Sequence, residues 1–162
     1  RLYNIIALSA LKYHLLKVDP RKSMLFNPEE SIDFQGNTGP FIQYTYARIQ
    51  SILKRAKMLK IDFKGLNFDN VNKLSVNEKR IIDLILKHRN NLKKSAETYS
   101  PSLLCNYVYD LSKTYNSFYQ DEKIFDGKNN ETTSFKIALS DMTSNVIRKS
   151  LNTLGRDVVN KM

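Results

Sequence analysis

The stretch "FQGNTGPFIQYTYARIQSILKRAK" (Phe34–Lys57) decides how the rest of the chain is read. Gly36, Gly39 and Pro40 punctuate its start. A proline in the first helical turn loses no needed N–H and has its φ already set, so a helix is expected from near Pro40 to about Lys57. Turned at ~100° per residue, that helix carries two stripes. Ile42, Tyr46, Ile49, Leu53 and Ala56 fall within about 40° of one line and form an ordinary core stripe. Phe41, Tyr44, Arg48, Ser51 and Arg55 cluster on another line roughly 130° away. An exposed aromatic face can stack an unpaired base, and an arginine one turn along can pair with phosphate or a base edge. The same spacing also suits aromatics packed under a neighbouring helix with solvated arginines beside them. Periodicity leaves the two open.

Helical patterning continues on both sides of this stretch. Leu2 to about Lys17 reads as a first helix that Pro20 forbids from continuing. "MLFNPEESIDF" reads as irregular or extended, with Glu29 and Glu30 capping a turn after Pro28 and a short strand at Ile32–Phe34. "IDFKGLNFDNVNKL" is a loop. Ser75 and Glu78 have capping-box spacing, which opens a helix from about Val76 to Ala96. Ser100 as cap and Pro101 in the first turn open another, to about Asp121. "FDGKNNETTS" is a polar loop, and a last helix from about Ser134 to Leu154 stops at Gly155. The expected fold class is all-α: a bundle of four to five main helices with an N-terminal connector helix and loop.

The chain has 162 residues, enough for one domain with a proper core. Its single cysteine, Cys105, forbids an internal disulfide and reads as a small buried hydrophobe; this suits a reducing compartment, and a cytoplasmic location is expected. One cysteine and two distant histidines, His14 and His88, cannot hold zinc, and each histidine reads as a surface or satisfied one. No apolar run is long enough for a membrane span. No phosphate loop or Ser/His/Asp motif occurs, so the residues themselves do not say enzyme. The net charge of +10 favours a polyanionic partner, and it is concentrated. Arg48, Lys54, Arg55, Lys57, Lys60 and Lys64 face only Asp62 in one segment, and "KHRNNLKK" (87–94) is a second basic block. In the last helix but one, Leu104, Val108, Leu111, Tyr115 and Phe118 line a core face, with Tyr107 at its flank and Tyr109 on the far side. Composition and spacing point to a basic helical module that binds RNA. The alternative is a basic helical protein-interaction or scaffolding domain whose aromatic stripe docks a partner helix.

The run "LFNPEESIDFQGNTGPFIQYTYAR" resembles arginyl-tRNA synthetases, as do "YSPSLLCNYVYDLSKTYNSFYQDEKI" and the ending "LNTLGRDVVNKM". The likeness covers nearly the whole chain and is weakest over 60–100 and 122–135. It implies a connector at 1–36 and a helical anticodon-binding domain of the DALR type at 37–162. It implies that the whole enzyme joins arginine to tRNA-Arg with ATP and magnesium. The His-x-Gly-His and Lys-Met-Ser-Lys-Ser-like motifs of such enzymes are not found here; Lys22-Ser23-Met24 has the wrong order. A non-catalytic fragment without a cofactor of its own is therefore expected, a monomer that binds tRNA-Arg and no membrane. By position the resemblance assigns Phe41, Tyr44, Arg48, Tyr107 and Met162 to the anticodon-loop surface, and Arg55, on the same line of the helix as Arg48, is expected to join them. Phe41 stands where Tyr is common in the family, Lys136 where Arg is usual, and Arg156 where an aliphatic residue is expected.

Overall fold

The computed structural model describes residues 2–64, 73–125 and 130–160. Among them there are six helices and no strand: α1 (Leu2–Leu16), α2 (Pro28–Ser31), α3 (Gly39–Met58), α4 (Val76–Glu97), α5 (Pro101–Asp121) and α6 (Asn130–Thr153). The protein is all-α, as its patterning requires.

Local chemistry starts each element. The Thr38 side chain accepts the Phe41 N–H at 3.3 Å and caps α3, with Pro40 in the first turn. Ser75 and Glu78 form both halves of a capping box at α4. Gly155, at φ +70°, ends α6 in the left-handed conformation that glycine adopts at least cost.

Three expectations need correction. Ile32–Phe34 is not a strand. Asn27 accepts the Glu29 and Glu30 N–H groups and nucleates the single turn of α2, so the Ile32 and Asp33 N–H groups bond back to Glu29 and Glu30. Ser100 does not cap α5 through its side chain. Its hydroxyl is buried against that of Ser102, 2.8 Å away, and Pro101 starts the helix without it. Helix α6 begins one turn earlier than Ser134. Parts of the two expected loops, 65–72 and 126–129, lie outside the described residues.

The core forms where α3, α5 and α6 meet. Ile42 and Ile49 of α3, Leu104, Leu111 and Phe118 of α5, and Ile137 and Ile147 of α6 are fully buried there. Each such side chain contributes about 1.5–3 kcal/mol by leaving water. The core stripe of α3 holds as expected, except that Leu53 is only half-buried and Ile52 fills the gap. Cys105 is buried, and that burial pushes its thiol up to about 12. Helix α4 packs along α5.

Helix α1 belongs to the same packing. Tyr13 is fully buried, with its hydroxyl 2.7 Å from Asn37 Oδ1 and 2.8 Å from the Cys105 carbonyl. At Gly39 a Cβ would lie 2.6 Å from the Ser9 carbonyl oxygen, so α1 and α3 cross at a distance only glycine permits. His14 is buried too, edge-on to Phe26, with Nδ1 unpartnered; it is neither exposed nor satisfied. The outer side of α1 stays apolar and open at Leu8, Leu11 and Leu15. No helix among the described residues is long and apolar enough to cross a membrane.

The chain after α6 returns to this crossing. Gln43, fully buried on α3, donates to the Asp157 carbonyl at 2.6 Å and to the Ser9 hydroxyl at 3.3 Å, and accepts the Val159 N–H at 3.0 Å. Arg156 is buried beside it and donates to the Leu8 carbonyl at 2.9 Å. This is what arginine does in place of the expected aliphatic residue: its stem packs while its head satisfies a backbone oxygen.

Candidate nucleic-acid interface

Arg48 on α3 is the centre of a stack. Its guanidinium carbon lies 4.8 Å from the ring centroid of Tyr44, one turn before it on the same helix. It lies 4.6 Å from the ring centroid of Tyr119, on α5. The plane is fixed from the side: Nη1 donates to Asn116 Oδ1 at 2.5 Å, and Asn116 Nδ2 donates to the Thr45 hydroxyl at 2.9 Å. Thr45 donates in turn to the Phe41 carbonyl. Each cation–π contact is worth about 0.5–1 kcal/mol at a partly exposed site. Their larger effect is orientation, because a guanidinium held this way has lost its rotamer freedom before any ligand arrives. Only one of its five N–H donors is committed among the described residues.

A cleft opens on each side of the stack, and Tyr44 and Arg48 line both. One, of about 600 Å³, runs toward Ser51, Arg55, Lys123 and Phe125. Arg55 repeats the motif there, with its guanidinium carbon 4.6 Å from the Phe125 ring centroid. Lys136 of α6 anchors this wall: it pairs with Glu122 at 2.9 Å and donates to the Lys123 carbonyl at 3.2 Å. The bond from Lys136 holds the Glu122 carboxyl below its ordinary range. The second cleft, of about 800 Å³, is walled by Tyr3, Phe34, Phe41 and Gln120. Phe34 meets Tyr44 edge to face at 6.5 Å, and Phe41 packs on Tyr109 at 5.4 Å. Tyr3, Phe34, Tyr44 and Tyr119 are all exposed. Flat aromatic faces beside oriented guanidinium groups, in clefts open to solvent, suit unstacked bases and the phosphates between them.

The sequence profile of the DALR anticodon binding domain matches residues 42–162. The chain belongs to this DALR anticodon-binding domain family. It is 48% identical to the arginine–tRNA ligase of Flavobacterium psychrophilum over 165 residues, covering 99% of this chain and 26% of that protein. It is 48% identical to that of Bacteroides thetaiotaomicron over 158 residues, again spanning 26% of the relative. The chain thus spans about a quarter of the length of these curated relatives. In three dimensions it resembles the arginyl-tRNA synthetase of Thermus thermophilus, with a TM-score of 0.86 at 23% identity over 98% of this chain and 27% of that one. It also resembles that of Plasmodium falciparum, with a TM-score of 0.81 at 26% identity over 99% of this chain and 28% of that one.

Within this DALR domain, four residues expected at the site come together: Phe41, Tyr44, Arg48 and Arg55 line the two clefts. Tyr107 does not join them. It lies about half a turn round α5 from Asn116, faces α4, and donates to the Leu84 carbonyl at 2.8 Å, with His88 against its ring. Only 5% of its surface is exposed, so it is a packing residue. Tyr109, expected on the far side, is the tyrosine of that pair that reaches α3. Met162 lies outside the described residues. Sequence reasoning missed Asn116, Tyr119 and Phe125. Asn116 and Tyr119 share a face three residues apart, a pattern too common to single out without knowing that α3 lies opposite.

Proposed function

We propose that this DALR domain is the anticodon-reading part of an arginine–tRNA ligase. Its partner is tRNA-Arg, its place of action the cytoplasm and its working state a monomer. The connector is residues 1–36 and the anticodon-binding unit residues 37–162. The single observation that carries this reading is the Tyr44–Arg48–Tyr119 stack between two open clefts. A base leaving the loop's stack meets Tyr44 or Phe41, and stacking there is worth about 1–3 kcal/mol per base. Arg48, already oriented, gives its uncommitted donors to a phosphate or a base edge. Arg55, held over Phe125, offers a second such contact. The names of the curated relatives supply the amino acid and the tRNA.

ATP and magnesium enter this reading only with the whole enzyme. Among the described residues no group of three or more His, Cys, Asp or Glu side chains is placed to hold a metal ion. What these side chains do is bind and position the nucleic acid.

The test is equilibrium binding of tRNA-Arg to the chain. Arg48→Ala is expected to weaken it by about 1–3 kcal/mol. Tyr107→Phe, which alters only a buried contact, should leave affinity unchanged. An Arg48→Ala variant that binds as tightly as the parent would sink the proposal.

A further inference from the structure

The basic segment that ends α3 divides in two. Arg48 and Arg55 enter the aromatic clefts, whereas Lys54, Lys57, Lys60 and Lys64 line a different cleft, of about 660 Å³. Lys57 lies about half a turn round α3 from Arg48, so one ligand atom cannot touch both. The exposed side of the helix joins the two places through Ser51 and Lys54.

Three observations make this cleft more than a solvated surface. None of its four lysines is ion-paired to a described residue, although other lysines of the chain are. Its only carboxylate among the described residues, Asp62, already accepts the Lys64 N–H at 3.0 Å, and the Asp62 carbonyl accepts the Ser134 hydroxyl at 2.7 Å, which ties the wall to α6. Lys60 has φ 53°, the left-handed conformation just past the end of a helix where glycine is the ordinary residue. The same position is Gly155 after α6 and Tyr99, at φ 52°, after α4. The left-handed turn brings Lys60 into the lining of this cleft, in a conformation that costs a side chain more than glycine.

We infer that the Lys54–Lys57–Lys60–Lys64 cleft is a second nucleic-acid contact, which takes the phosphodiester backbone of an RNA strand that crosses α3 from the aromatic clefts. The inference rests on the anticodon reading above and extends its footprint to sequence-independent phosphate contacts. Each lysine that meets a phosphate releases counterions, so the cleft writes itself into the salt dependence of binding.

The experiment measures tRNA-Arg affinity against salt between roughly 50 and 200 mM for the parent chain, for Arg48→Ala, and for the triple variant Lys54→Ala, Lys57→Ala, Lys60→Gly. The triple variant should bind about tenfold more weakly within that range, with a slope of log K against log salt flatter by about two. Arg48→Ala should flatten the slope by at most about one. Lys60→Gly alone should raise the melting temperature while weakening binding, which no loss of folding can mimic. A triple variant with the parent's slope, beside a parent that binds and an Arg48→Ala that binds more weakly, would overturn this inference and leave the anticodon reading intact. A parent that binds no tRNA-Arg overturns both.

Discussion

Asn116 accepts a 2.5 Å hydrogen bond from Arg48, from a position 68 residues away in sequence. It passes that constraint to Thr45 through its other amide atom, so α5 sets the plane of a guanidinium that α3 carries. Asn116→Ala should therefore imitate the loss of Arg48. We expect tRNA affinity to fall by about 1–3 kcal/mol and stability by about 1 kcal/mol. In a double-mutant cycle with Arg48→Ala, the two binding losses should overlap rather than add. Additive losses would show that Asn116 does not work through Arg48.

Gln43 holds the chain after α6 with every polar atom of its amide engaged. Gln43→Leu keeps roughly its size and strands the Val159 N–H and the Asp157 carbonyl. The Val159 N–H is buried and the Asp157 carbonyl only partly so; a stranded buried group costs about 1–3 kcal/mol, so urea unfolding should report a loss of about 2 kcal/mol. Faster hydrogen exchange at the Val159 amide, without a change in the core amides of α5, would locate the damage.

The glycines at and just before the start of α3 should separate cleanly. At Gly39 a Cβ would lie 2.6 Å from the backbone oxygen of Ser9, which cannot swing away, so Gly39→Ala should lose about 1–3 kcal/mol on denaturation. At Gly36 the nearest atoms are 3.5 Å away and belong to side chains, so Gly36→Ala should change stability by less than about 0.5 kcal/mol.

Acidification should weaken the fold through its two histidines. Burial, then Lys17, lowers the pKa of His14 below 6.5 against the smaller opposing pull of Glu30; burial, then Lys149, lowers that of His88. Both are neutral in the folded protein near neutral pH. Below about 6.5 the unfolded chain binds their protons first, so stability is complete above that pH and is lost as pH falls toward the folded values. Unfolding free energies measured at pH 7.5, 6.5 and 5.5 should fall in that order. The double variant His14→Gln, His88→Gln should flatten the trend.

Much of the fold was legible because its signals are local. Pro40, Pro101, the Ser75–Glu78 pair and Gly155 each act within one turn of the chain, and each marks an observed helix end. The strand expected at Ile32–Phe34 failed for the same kind of reason: Asn27, a few residues earlier, captures the N–H groups of Glu29 and Glu30 and turns the chain first. The site was half legible. Rotation about α3 put Phe41, Tyr44, Arg48 and Arg55 on one line, and they do share one surface. Rotation about α5 put Tyr107 at the flank of the core stripe and Tyr109 on the far side, but it could not say which helix would cover either place. The choice depended on which neighbour, α3 or α4, lay on which side.

The sequence by itself determined the five long helices, most of their ends, the core stripes and the concentration of positive charge near the end of α3, because periodicity, capping and charge are properties of short runs of chain. Tertiary structure alone decided that the second stripe of α3 is a stack rather than a buried seam. That stack needs Asn116 and Tyr119 from α5 opposite Arg48, and their placement follows from how α3 and α5 pack on α6. It also split the basic run between two clefts and gave Gln43 its hold on the returning chain. These relationships join residues many turns apart, and the long-range packing that creates them leaves no periodic trace in either partner's own segment.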